Sequence, residues 1–241
     1  DNYLAATARQ HRWARGDWQL LPWILRKGFS PVDRWKMIDN LRRSVSMPAT
    51  FLILVTGWAW PGSSAALWTA FVLTIVALPR LLPLVTEIFS RPPGVSRRRH
   101  SRTVGRDFRS ALAQTGLALC IIAHQAWLMA DAIVRTLGRL YLTHHRLLEW
   151  KTAAHAASGA PLTLSGYCRQ MAGGLFLTVA GAIVTTWLDP GAWRVAWPLF
   201  GLWAVSPVIT RWVSLPGSAS NPVVLPPEGA LSLRLIARRT W

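Results

Sequence analysis

The chain has 241 residues, 51% of them apolar, with 15 tryptophans and a mean hydropathy of +0.26. That much apolar surface sits badly with a soluble globule, which would have to hide it. Charge is sparse and one-sided, 27 Lys and Arg against 10 Asp and Glu, for a formal +17. Such a balance raises nucleic acid as a partner. The basic residues fall between apolar runs, however, which fits anionic membrane lipids and argues for no nucleic acid. Cys120 and Cys168 are too few for a disulfide framework and lie in no metal-like spacing, so free thiols are expected. The sequence opens without Met or a signal-peptide pattern and stops inside a helical pattern at Ile236–Trp241. The expectation is an internal piece of a larger protein.

Residues 1–28 carry the cluster Arg9-Gln10-His11-Arg12-Trp13-Ala14-Arg15-Gly16-Asp17-Trp18. A helix start follows at Ser30-Pro31-Val32-Asp33, where Ser caps, Pro suits the first helical position and Asp favours the positive end of the dipole. That helix is expected over 29–44, ending near Ser44, with Trp35, Ile38 and Leu41 on one face. It reads either as an in-plane interfacial helix or as an ordinary amphipathic surface helix.

Two membrane-spanning helices are expected within 45–89. The first, Val45 to Trp60, is short for a hydrocarbon core of about 30 Å. Pro61-Gly62-Ser63-Ser64 is an uncharged turn. The second, Ala65 to Phe89, contains Pro79, Arg80 and Pro83. Either Arg80 is a functional group inside the span, or the span ends near Pro79, Arg80 snorkels to the interface and Leu81–Phe89 lies along the membrane.

Residues 90–170 read as a basic connector. Arg97, Arg98, Arg99, His100, Arg102, Arg106 and Arg109 precede a long helix expected at about 107–155. Its part from Ala111 to Val134 is long enough to cross, yet it carries Gln114, His124, Gln125 and Asp131, costly in hydrocarbon. If it does not cross, every strongly basic segment falls on one side and the turns at 61–64 and 189–192 on the other, as the positive-inside rule requires. It is therefore expected to stay cytoplasmic, packed on protein or lying on the membrane.

A second pair of spans is expected over 171–213, with Gly173, Gly174 and Gly181 permitting close helix approach. Trp193, Trp197 and Phe200 share a helical face, which suits a glycan passage, interfacial anchoring or helix packing. Residues 214–241 read as a linker, rich in Pro, Gly and Ser as far as Glu228, leading to a following domain. His144 and His145 are adjacent and diverge on a helix, so with His124 they make a poor metal site.

Gln10-x-Arg12-Trp13 has a clear physical sense. An arginine offers a fixed fork of donors to a pyrophosphate, and a tryptophan a flat face to a sugar ring. On four residues alone a surface Arg–Trp pair explains it as well. The placing, just ahead of an interfacial helix and membrane spans, resembles processive membrane glycosyltransferases of the cellulose- and hyaluronan-synthase kind, whose catalytic domain ends in a Q-(Q/R)-x-R-W signature. The leading Gln of that signature is Arg9 here.

The stretches RQHRWARGDWQLLPWI, SPVDRWKMIDNLRRS, DAIVRTLGRLYLTHHRLLEWKTAAHA and LRLIARRTW are similar to those of the cyclic β-1,2-glucan synthases of Gram-negative bacteria. The resemblance implies a mainly α fold: polytopic membrane helices with interfacial and cytoplasmic helices, preceded by the C-terminal edge of a GT-A-type glycosyltransferase domain in the bacterial inner membrane. It implies UDP-glucose and a glucan acceptor as partners, with Arg12 toward the UDP diphosphate and Gln10 and Trp13 toward the acceptor. It also implies a divalent metal, Mg or Mn, held by an Asp-x-Asp outside this chain, and a further Asp as base. Asp17 and Asp33 are no substitutes: Asp17 is expected to pair with a nearby Arg, and Asp33 belongs to the helix cap. The piece alone is expected to be inactive. The alternative is a non-enzymatic membrane module, a transporter half or scaffold, in which the motif is accidental.

Overall fold

A computed structural model of the chain describes residues 2–24, 26–90, 96–145, 163–215 and 227–240. Among these residues every regular element is helical. The first helix, α1 (Tyr3–Gln19), is capped by Asn2, whose side chain accepts from the Ala5 N–H. A single turn, α2 (Leu21–Ile24), follows it. The helix α3 (Pro31–Ala59) starts as the sequence requires. Ser30 Oγ accepts from the Asp33 N–H and donates to the Asp33 carboxylate at 2.7 Å, with Pro31 in the first turn.

The expected end of this helix near Ser44 is not seen: α3 runs on to Ala59 with Pro48 inside it. Proline removes one ladder bond, and nothing else in this stretch interrupts helical geometry. The joint is also held from outside, since Trp18 Nε1 donates to the buried Ser44 hydroxyl at 2.8 Å. Gly62, at φ +81, makes the turn into α4 (Ala65–Phe89). Nor does α4 end near Pro79; it carries both Pro79 and Pro83 within one helix. Arg80 Nη1 donates to the Val76 carbonyl at 2.5 Å, so the guanidinium serves the helix backbone beside the proline defect.

The long helix expected over 107–155 is broken. Helix α5 (Arg97–Cys120) and helix α6 (Ile122–Gly138) meet at Ile121 with a bend of 56°. A π-helical turn, Arg139–Thr143, ends at His144 in the left-handed region. Residues 146–155 of that expectation lie outside the described residues. The bend brings α6 rather than α5 into the middle of the bundle, against α1, α3 and α8. After α7 (Leu164–Gln170) come α8 (Ala172–Leu188), a 3-10 turn at Pro190–Ala192, α9 (Trp193–Ala204) and α10 (Ser206–Ser214), with α11 (Pro227–Thr240) last. The expected linker at 216–226 lies outside the described residues.

Close approach around α6 depends on small residues. A Cβ on Gly174 would sit 2.6 Å from the His124 Cα, and one on Gly173 would overlap the Trp127 indole. Gly181 faces Phe200 and Val55 at 3.2 Å. The expected role of these glycines therefore holds. Phe51, Trp58, Phe200 and Trp203 form an aromatic core with ring centroids 5.1–6.0 Å apart. The indole N–H groups are satisfied: Trp58 donates to Thr69 Oγ1 and Trp203 to the Leu119 carbonyl.

Among the described residues, α4 alone is long and apolar enough to cross a membrane as a single helix, with 25 residues and an 18-residue stretch of mean hydropathy 1.9. The α5–α6 and α7–α8 pairs also pass if each bent pair is one span. By that measure the runs at 45–60 and 192–213, expected to span, fall short. The first shares a helix with the charged 31–44, and the second breaks at Val205. The outer faces stay apolar: Leu67, Phe71, Ile75 and Leu82 on α4, and Phe176, Val179 and Ile183 on α8, are exposed. Both short turns lie at one end of the bundle, Trp58 reaching Trp193 through Phe200.

Candidate functional site

Helix α1 lies across the other end. Leu4 packs on Tyr167 and Met171, the Tyr3 N–H donates to Ser214 Oγ at 2.9 Å, and Ala14 meets Met129 and Ala132 of α6. The first contact is with α7 and the α7–α8 junction and the second with the end of α10, so the opening segment closes this end of the bundle.

The polar residues that make α6 costly in hydrocarbon face α1. Gln125 Nε2 donates to Gln10 Oε1 at 3.1 Å and to the Tyr3 hydroxyl at 3.4 Å. Asp131 takes two partners: His11 Nε2 at 2.9 Å on Oδ2 and Arg135 Nε at 2.7 Å on Oδ1. Burial pushes the His11 imidazole below its ordinary pKa of 6.5, against the pull of Asp131, and Arg15 and Arg135 push the same way. The ring is thus neutral near pH 7, and its Nε2–H donates to the carboxylate. Burial likewise raises the Tyr3 phenol. Gln114, on α5, takes no part and donates to Ser110.

The motif residues do not converge on one point. Arg12 lines a cavity of about 450 Å³ between α1 and α6, together with His11, Arg15, His124, Asp131 and Arg135. Gln10 is turned to Gln125 beside it. Trp13 points away, 63% exposed, with the Arg9 guanidinium over its ring at 5.8 Å. Gln125, Asp131 and Arg135 are the site residues that motif reading passes over. Their signal is polarity in the wrong place, a Gln and an Asp inside an apolar run.

Asp17 accepts from Asn40 Nδ2 at 3.4 Å, and burial raises its pKa against the opposing charge of Arg43. Arg43 itself forks onto Asp39, which Arg42 also grips, and these hydrogen bonds lower the Asp39 pKa. The aromatic face at 193–200 is divided. Phe200 is buried in the core, Trp193 stacks on it, and Trp193 and Trp197 are themselves exposed, so helix packing accounts for Phe200. Both cysteines are free, Cys120 buried. No group of three His, Cys, Asp or Glu able to hold a metal occurs among the described residues.

No family model matches the chain. It is 38% identical over 242 aligned residues to the cyclic beta-(1,2)-glucan synthase NdvB of Rhizobium meliloti (strain 1021), an alignment covering 99% of this chain and 8% of that protein. The resemblance carried by the four quoted stretches therefore holds along the whole length. The chain is a relative of one segment of a cyclic β-(1,2)-glucan synthase, and spans about 8% of it.

Proposed function

We propose that this chain is the membrane-anchoring segment of an inner-membrane glucosyltransferase that polymerises glucose from UDP-glucose into cyclic β-1,2-glucan. On this reading α1 is the C-terminal rim of a cytoplasmic GT-A-type domain, and α3 to α10 form the helical platform beneath it. The observation that carries it is the similarity of 99% of this chain to a stretch amounting to 8% of the synthase. The polar docking of α1 on α6 supports it. A rim that must keep its place while sugars are added one after another needs a directional attachment, and hydrogen bonds give direction where apolar contact does not.

Arg12 then offers its guanidinium to the donor diphosphate, a charge-assisted bidentate contact. The exposed Trp13 ring gives the acceptor end of the glucan a stacking face, and Gln10 holds the helix register through Gln125. The divalent metal and the catalytic base belong to residues outside this chain, and the segment alone makes no glucan. Glucose transfer by the full-length protein carrying Arg12→Ala or Trp13→Ala tests this. A fall of about 100-fold or more in kcat/KM for Arg12→Ala is expected, the scale of losing one preorganised charge contact. Undiminished transfer by both variants would remove the motif from the site.

A further inference from the structure

The cavity between α1 and α6 has two unlike walls. One carries, among the described residues, the guanidinium groups of Arg12, Arg15 and Arg135 and the carboxylate of Asp131. The other is apolar, made by Leu4, Trp127 and Leu128. His124 also lines it, only 4% exposed, and among the described residues neither of its ring nitrogens has a hydrogen-bond partner. A buried imidazole with both nitrogens unmet is costly unless something occupies the space beside it.

The apolar wall leads outward. The Trp127 ring meets Phe176 of α8 edge-on at 6.0 Å. Phe176 in turn begins the exposed stripe Phe176, Val179, Ile183, at helical spacing along the outer face of α8. Gln170, which also lines the cavity, lies just before α8 begins. A cationic recess at the end of an apolar helix, joined to its outer stripe by an indole, matches an amphiphile with an anionic head and hydrocarbon tails.

We infer that this cavity is a binding site for an anionic glycerophospholipid, its phosphate held by Arg15 and Arg135 beside His124 and its acyl chains along the Phe176–Ile183 stripe. The inference rests on the membrane reading above, and it gives α1 a lipid that cements the motif helix to α6 and α8. Arg12 is left to the donor diphosphate.

The full-length protein, taken from nanodiscs of equal phosphatidylglycerol and phosphatidylcholine, is examined by native mass spectrometry for lipid that stays bound. Phosphatidylglycerol is expected to persist over phosphatidylcholine and to be lost by about tenfold in Arg15→Gln and in Arg135→Gln, the scale of one charge-assisted contact. Because Arg135→Gln also strips a partner from Asp131, Arg15→Gln carries the result if Arg135→Gln does not fold. Equal retention of the two lipids, or undiminished phosphatidylglycerol in Arg15→Gln, overturns the site. Displacement by millimolar inorganic phosphate or UDP overturns it too, and assigns the cavity to a free phosphate or to the donor. Recovery of the wild type in the soluble fraction would instead sink the membrane reading itself. Glucan synthesis by the same preparations is a separate readout, so failure of the lipid site leaves the transferase assignment standing.

Discussion

Asp131 is the side chain on which the docking of α1 turns. It joins His11 of the motif helix to Arg135 of its own helix, and all three border the same cavity. Removing it in Asp131→Ala leaves a half-buried imidazole N–H and a guanidinium without their acceptor. A loss of about 1–2 kcal/mol is expected, in the range of unmet hydrogen bonds to a charged group, read as a lower unfolding temperature of the detergent-solubilised protein. Asp131→Asn keeps an acceptor and should lose less. His11 adds a pH dependence of definite sign. Its pKa is lower in the folded protein than the ordinary 6.5, so between those two values the unfolded chain binds more protons than the native one. Stability therefore falls as the pH drops below about 6.5 and levels off once the folded imidazole is itself protonated. In His11→Gln that component of the pH profile of thermal unfolding should vanish; an unchanged profile would mean that His11 is not the group responsible.

The helices divide into those whose glycines are required by a neighbour and those whose glycines are not. Gly174 lies against the His124 backbone, which cannot swing aside as a flexible side chain could. Gly174→Ala should cost about 1–3 kcal/mol through forced separation of α6 and α8. Gly116, within α5, has nothing within 4 Å of where a Cβ would stand. Gly116→Ala should be neutral or stabilising by up to about 1 kcal/mol, because alanine loses less entropy in a helix. Comparing the two variants by thermal unfolding checks the packing directly; equal effects would mean that α6 and α8 are not so closely apposed. The bend at Ile121 belongs to this scale as well. An unbroken helix from α5 could not present Gln125 and Asp131 to α1 while placing Cys120 against the Leu202 carbonyl.

For the molecule as a whole, the proposed function predicts a bundle whose apolar outer faces on α4 and α8 meet lipid and whose two short turns lie on the side away from α1. With Cys120 and Cys168 of this segment both replaced by Ser, a cysteine introduced at Ser63→Cys should react in intact cells with a membrane-impermeant maleimide. One at Ser101→Cys, in the basic start of α5, should react only after the cells are opened. Labelling of Ser101→Cys in intact cells would put the arginine-rich segment outside and reverse the topology.

Composition and periodicity were enough to read a helical, membrane-type chain, because hydrophobic run length and flanking arginines are local properties. The Ser30 cap, the close-packing glycines at 173, 174 and 181 and the relationship to glucan synthases were legible for the same reason: each is written in neighbouring residues. The bounds of α4, Ala65 to Phe89, were legible, but the helix end near Ser44 was misread and the end near Pro79 was only one of two readings, because a proline costs one ladder bond and whether a helix survives that loss depends on what holds it elsewhere, as Trp18 holds Ser44. The partners of Gln125 and Asp131 lay beyond sequence altogether. A polar residue in an apolar run announces that it needs a partner, but Gln10 and His11 lie 115 and 120 positions away, and only the folding of α1 back onto a bent α6 brings them within hydrogen-bond reach.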